Sequence, residues 1–218
     1  LVVNQVLPTN PATCVRGPRH VVEMGKTPIL DTDDARRLLD SFDTSHVVGL
    51  RDRALIGVMI YSFARVGAAV ALNTEDYLLH GKRWHLVLHE KRGRVNRMPV
   101  HHKLAEFLDS YLEEAAIPSG KKEPIFRCTQ GRTRRLTDRR MTTKDAWEMV
   151  RRRSSDAAIE TKIGNHSFRA TGITAYLSNG GTLEKAQQMA GHASAKTTKL
   201  YDRRQDLVTL DEVERILI

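Results

Sequence analysis

Asn165-His166-Ser167-Phe168-Arg169-Ala170-Thr171 opens a stretch that stops at Asn179-Gly180-Gly181, and Ala190-Gly191-His192 and Lys199-Leu200-Tyr201-Asp202 follow it. A helix over 165–177 puts His166 and Arg169, three residues apart, on one face. Asn-Gly-Gly ends it, because these residues accept the left-handed backbone of a helix C-terminus. Thr182 starts a second helix running to about residue 190, with Glu184 and Lys185 outermost. Gly191-His192 then turns the chain, and residues 195–203 read as a short helix bearing Tyr201. Such a turn can swing the phenol over the face that carries His166 and Arg169. The last residues, 211–218, form an amphipathic helix through Leu210, Val213, Ile216 and Leu217.

Upstream, a helix is expected from Asp31. Asp31 or Thr32 caps it, Asp33 and Asp34 suit the positive end of its dipole, and Ala35, Leu38, Leu39 and Phe42 form its apolar stripe. A second helix over 50–63, with Leu55, Val58, Met59 and Ile60, delivers Arg65 just past its end. Gly67, Ala68 and Ala69 make the segment 66–72 small enough for helices to approach closely. The period then changes from helical to alternating. Residues 76–79, 84–89 and 95–100 read as three strands, with His80-Gly81 in the first turn and Lys91-Arg92-Gly93-Arg94 in the second. A helix over 103–115 follows, then a short extended piece at 124–126. The most basic stretch, 131–140, holds Arg132, Arg134, Arg135, Arg139 and Arg140 and reads as a surface loop. A helix over 142–158 carries Arg151, Arg152 and Arg153 around its circumference. The fold class is mainly α with a small three-stranded antiparallel sheet, α+β.

With 218 residues, 40% hydrophobic and 28% charged, the chain can hold one sizeable globular domain, or one domain plus an arm. A formal net charge of +9 suggests an anionic partner, most often nucleic acid, because neutralising phosphates releases counterions. Cys14 and Cys128 are too few for a disulfide scaffold and read as reduced thiols. The longest apolar run, 54–64, is too short to span a bilayer, so no membrane partner is expected. Pro8, Pro11, Pro18 and Pro28 make residues 1–30 an extended segment, which Arg16, Arg19, His20 and Lys26 make basic. It is either a disordered tail or a linker laid along DNA phosphates. Leu1 in place of Met, with no secretory signal, is what a piece of a longer protein would show.

The His-x-x-Arg pair, the Gly-His and the late Tyr together resemble the active-site signature of the tyrosine recombinases, the integrase-type site-specific DNA recombinases. The resemblance covers residues 31–218, the expected catalytic domain with its C-terminal amphipathic helix. It implies the catalytic-domain fold of that family and a chemistry that needs neither metal nor ATP. Tyr201 would be the nucleophile, forming a 3′-phosphotyrosine bond that conserves energy for rejoining. Arg65 and Arg169 would clamp the two non-bridging oxygens, His192 would add a hydrogen bond, His166 would relay the tyrosine's proton, and Lys91 would protonate the departing 5′ oxygen. The expected partner is double-stranded DNA carrying specific recombination sites, with self-association from dimer to tetramer on it. The expected location is cytoplasmic, at the nucleoid. The family's N-terminal clamping domain finds no counterpart in residues 1–30, so weak DNA affinity is expected of this chain alone. The terminal helix is expected to pack on a neighbouring protomer.

Each residue taken singly has an ordinary structural reading: a half-buried Tyr, a solvated His, an Arg at a helix end. Their joint order and spacing on a basic chain carries the inference. Two positions depart from the family's pattern. Where an acidic residue usually stands three positions after the first arginine, this chain has Ala68, which leaves Glu75 or Asp76 to orient Arg65. Where glycines usually flank the hairpin lysine, Glu90 precedes it. Arg92 and Arg94 join Arg16, Arg19, Lys26, Arg132, Arg134, Arg135, Arg139 and Arg140 as candidate DNA contacts. No cofactor is expected. His85 and His89 share a strand face near His101-His102, yet lack the Cys or carboxylate partners of a zinc site, so no metal is expected. Two alternatives stay open: a non-catalytic DNA-binding relative and a topoisomerase-like nicking-closing enzyme.

Overall fold

The computed structural model describes residues 8–10, 15, 25–90, 93–131, 133–202 and 213. Most of the basic N-terminal segment and, Val213 apart, the expected terminal amphipathic helix therefore lie outside the described residues, as do Lys91, Arg92 and Arg132. Among the described residues there are eight α-helices, α1 Thr32–Asp40, α2 Val47–Tyr61, α3 Val66–Ala71, α4 His102–Glu114, α5 Thr143–Asp156, α6 Asn165–Ser178, α7 Leu183–Ala190 and α8 Ala195–Lys199, and a 3-10 turn at Thr74–Asp76. The strands are β1 Tyr77–His80, β2 Arg83–His89, β3 Val95–Pro99, β4 Arg127–Thr129 and β5 Leu136–Arg140.

Helix α2 is the central rod. Its interior residues Ala54, Leu55, Ile56, Val58 and Met59 are buried outright, which is why its apolar residues show no single stripe. Helices α4 and α6 pack along it. The approach of α6 depends on Gly172, where a β-carbon would stand 2.1 Å from the Ile60 carbonyl oxygen. The helix starts follow their caps: Asp31 accepts from the Asp34 amide at 2.7 Å, Thr142 and Asp145 form a reciprocal box, and Thr182 accepts from the Lys185 amide.

Strands β1, β2 and β3 form an antiparallel sheet in that order, with Leu86 opposite Tyr77 and Met98 on its buried face. The sequence pattern missed the helix α3 and both strands of a second sheet. Residues 131–140 are not wholly loop, because β5 pairs antiparallel with β4 as a second, two-stranded sheet. Leu-Thr-Asp-Arg-Arg has no alternating apolar face to advertise a strand; backbone pairing and the buried end of Arg140 hold it instead. Arg140 donates to the carbonyls of Val70 and Leu72 and to Asn73 Oδ1.

Candidate active site

Four side chains from separate segments converge where α2, α6 and α7 meet the β2–β3 hairpin. Arg65 is the N-cap residue of α3, held where the chain leaves α2. Two residues earlier, Phe63 has φ of 52°, in the left-handed region where a bulky side chain is strained. That kink turns the Phe63 carbonyl toward Arg169, which donates to it. The same guanidinium donates at 2.5 Å to the Ala190 carbonyl, the last residue of α7. Arg169 is only 2% exposed, and burial, with the charge of Arg65 next, pushes its pKa down to about 10. It is still a cation at neutral pH, with two of its five donors fixed by backbone.

Gly191 ends α7 with φ of 60°, a left-handed cap that a residue with a β-carbon adopts reluctantly. The turn it makes presents His192, which is buried. Nδ1 of His192 lies 2.9 Å from the Thr198 hydroxyl. Burial first, then the charges of Arg169, Arg65 and Arg94, push the imidazole's pKa down to about 4, so it is neutral at physiological pH. Tyr201 sits in the turn just after α8, its ring stacked on that of His192 at 5.8 Å and 12°. Thr174 of α6 donates to the Tyr201 carbonyl at 2.9 Å, and the ring packs on the small apolar cluster of Phe63, Ile173, Leu177, Ala186 and Ala190.

Exposed His166 opens α6, one turn before Arg169. It lines a cavity of about 450 Å³ together with Arg65, Ala68, His89, Glu90 and Thr143. The carboxylate that meets Arg65 is neither Glu75 nor Asp76. Asp76 is engaged by His89 at 2.8 Å and by the Asn73 amide, while Arg65 pairs with Glu90 at 2.5 Å. Glu90 follows β2 directly, and its amide donates to the Arg94 carbonyl to close the hairpin. Reading along the chain missed Glu90 and Thr198. The one hint was a carboxylate where the resemblance leads one to expect glycine.

The arginines divide into two groups. Arg134, Arg135 and Arg139 are exposed around the β4–β5 hairpin, and Lys26 is exposed beside the segment whose Gly25 amide donates to the Leu200 carbonyl. Arg94 is exposed and donates to the Gly191 carbonyl at 3.1 Å, which brings it to the edge of the site. Arg140, by contrast, is committed to its carbonyl partners. The run 151–153 splits as well: Arg153 and Arg152 converge on the fully buried Asp52, and Arg151 lies over the Trp147 ring. Arg16, Arg19, Lys91, Arg92 and Arg132 are outside the described residues. Among the described residues no group of three His, Cys, Asp or Glu is arranged to hold a metal ion, and no helix is long and apolar enough to cross a membrane.

Residues 28–207 match the model of the phage integrase family. The chain is 29% identical over 181 residues to tyrosine recombinase XerD of Listeria monocytogenes serotype 4b, a match covering 81% of this chain and 58% of the relative. It thus spans about six-tenths of the length of the curated relatives it matches. Two solved structures share its fold. The crystal structure of XerA recombinase has a TM-score of 0.66 at 24% identity, covering 91% of this chain and 65% of that one. A lambda integrase tetramer bound to a Holliday junction has 0.67 at 16%, covering 95% and 57%.

Proposed function

The chain belongs to the phage integrase family, the tyrosine recombinases, and from that membership we propose that it is the catalytic domain of a site-specific DNA recombinase that cuts and rejoins strands through a covalent 3′-phosphotyrosine. The observation that carries this is the convergence of Arg65, Arg169 and neutral His192 beside the ring of Tyr201.

In the proposed reaction the Tyr201 oxygen attacks a backbone phosphorus, a P–O bond to the phenol forms, and the bond to the 5′ oxygen breaks. The two guanidiniums meet the non-bridging oxygens, where negative charge concentrates in the transition state. Arg169 is aimed in advance by the Phe63 and Ala190 carbonyls, so no reorganisation is needed as that charge develops. Nδ1 of His192 is engaged by the Thr198 hydroxyl, so neutral His192 turns Nε2 to the same phosphate, and the tautomer protonated there donates a hydrogen bond to it. His166 accepts the phenol's proton, and Lys91 delivers one to the departing 5′ oxygen. The reverse attack, by a free 5′ hydroxyl, restores the tyrosine and joins the strand.

The substrate in this reading is double-stranded DNA with defined recombination sites, bound by protomers that associate on it as dimers and tetramers. Residues 1–30 are the linker to a domain that clasps the opposite face of the duplex, and 31–218 the catalytic unit. Arg94 and the exposed arginines of the β4–β5 hairpin hold backbone phosphates, which orients the duplex without reading its bases.

Trapping tests the proposal. Nicked duplexes that lose the 5′ product strand are incubated with the protein, with and without EDTA, beside Tyr201→Phe, and run on a denaturing gel. A covalent protein–DNA band that survives EDTA and needs Tyr201 is expected. Retention of DNA with no adduct, on any duplex from its genomic neighbourhood, would favour the non-catalytic reading.

A further inference from the structure

The Arg65–Glu90 pair joins two elements that meet only in the folded chain. Arg65 is the N-cap residue of α3, Glu90 directly follows β2 of the β2–β3 hairpin, and their contact is 2.5 Å. The Glu90 side chain is 5% exposed and that of Arg65 32%, so the pair is partly withdrawn from water and its geometry is constrained by packing. Buried carboxylates seldom stand without a cationic partner, and among the described residues Arg65 is the cation paired with this one. Its charge also acts on the second guanidinium: Glu90 favours the protonated form of Arg169, against the opposing push of Arg65. A single carboxylate therefore offsets the repulsion between two cations brought together for one phosphate.

Ala68 lies one turn along the helix that Arg65 begins and lines the same cavity of about 450 Å³ as Glu90 and Arg65. In this chain the carboxylate comes from the hairpin, and the helix position is a methyl group.

We infer that Glu90 is the positioning residue for Arg65, and that through its ion pair the β2–β3 hairpin is held in register with the arginine pocket. The inference rests on the recombinase reading, with Glu90 acting through Arg65 rather than on the phosphate itself. Losing the carboxylate frees Arg65 to adopt other rotamers and releases the contact between the start of α3 and the end of β2. Misplacement of a reacting group by about an ångström is enough to slow a step about 100-fold.

The test pairs single-turnover cleavage of a nicked duplex with equilibrium binding of the same duplex, for wild type, Glu90→Gln, Glu90→Ala and the double variant Ala68→Glu/Glu90→Ala. Glu90→Gln should cleave about 10- to 100-fold more slowly while its Kd changes by less than about threefold. The double variant should recover at least about a tenth of the wild-type rate, because the carboxylate returns from the other wall. Wild-type or faster cleavage by Glu90→Gln would overturn the inference alone, the faster rate showing that the pair restrains Arg65. So would a slowed single variant that the Ala68→Glu change does not rescue while thermal melts show it folded. No Tyr201-dependent adduct from wild type would overturn the recombinase reading itself, and this inference with it.

Discussion

The Thr198 hydroxyl lies 2.9 Å from Nδ1 of His192, and Thr198 precedes Tyr201 by three residues, its carbonyl accepting from the Tyr201 amide. One buried side chain thereby ties the Gly-His turn to the segment bearing the phenol, and its hydroxyl takes Nδ1 of the ring and leaves Nε2 on the other side.

Thr198→Val keeps the volume and removes that hydroxyl, leaving Nδ1 without its partner. The expected result is a loss of about 1–3 kcal/mol in stability and a fall in cleavage rate of about tenfold or more, with Thr198→Ser close to wild type. Equal single-turnover rates for the Val and Ser variants would remove Thr198 from the site.

The depressed pKa of His192 predicts a pH signature. The unfolded imidazole titrates near 6.5, the folded one near 4. Above about pH 6.5 both states are neutral and the group costs nothing. As pH falls toward 4 the unfolded chain takes up a proton that the folded chain refuses, so stability drops across that window. Melts of wild type and His192→Asn at a series of pH values should converge as the pH is lowered from 7 to 4, because the variant lacks this component of the slope. Parallel curves would contradict it.

Arg169→Lys should fail despite keeping a charge. A single ammonium cannot bridge the Phe63 and Ala190 carbonyls in the plane that a guanidinium spans, and a buried lysine loses its proton more readily. Adduct formation is expected to fall at least about 100-fold. Retention of more than a tenth of the wild-type rate would show that only charge is required.

Gly172→Ala tests the packing that brings α6 onto α2. The added methyl meets the Ile60 carbonyl oxygen at 2.1 Å, backbone against side chain, and only a shift of one helix relieves it. A loss of about 1–3 kcal/mol is expected from overpacking of this kind, read as a lower urea midpoint with an unchanged slope. An unchanged midpoint would mean the two helices part at no cost.

The arginines of the β4–β5 hairpin should separate by role. Arg140→Ala removes the hydrogen bonds to the Val70 and Leu72 carbonyls and to Asn73 Oδ1 and should lower the melting temperature. Arg135→Ala and Arg139→Ala, both at exposed positions, should leave stability intact while each reduces the salt dependence of DNA binding by about one unit of slope. Salt slopes identical to wild type would place the duplex elsewhere.

Most of the architecture was written locally. Asp31, one of the two residues expected to cap the first helix, does so, Thr142 and Thr182 stand as caps where their helices were expected to start, and 84–89 and 95–100 supply the paired strands of the three-stranded sheet. The spacing of Arg169, His192 and Tyr201 was equally plain along the chain, because helical period and turn chemistry are properties of neighbouring residues. The sequence by itself thus determined the fold class and which side chains were candidates. The tertiary structure alone decided their partners. Glu90 reaches Arg65 across 25 residues, the Phe63 carbonyl reaches Arg169 across 106, and Arg140 spends its donors on carbonyls about 70 residues away. Burial strengthens such pairings and removes water as the alternative partner. Which groups are buried together depends on how α2, α6 and the hairpin pack, and no local period encodes that.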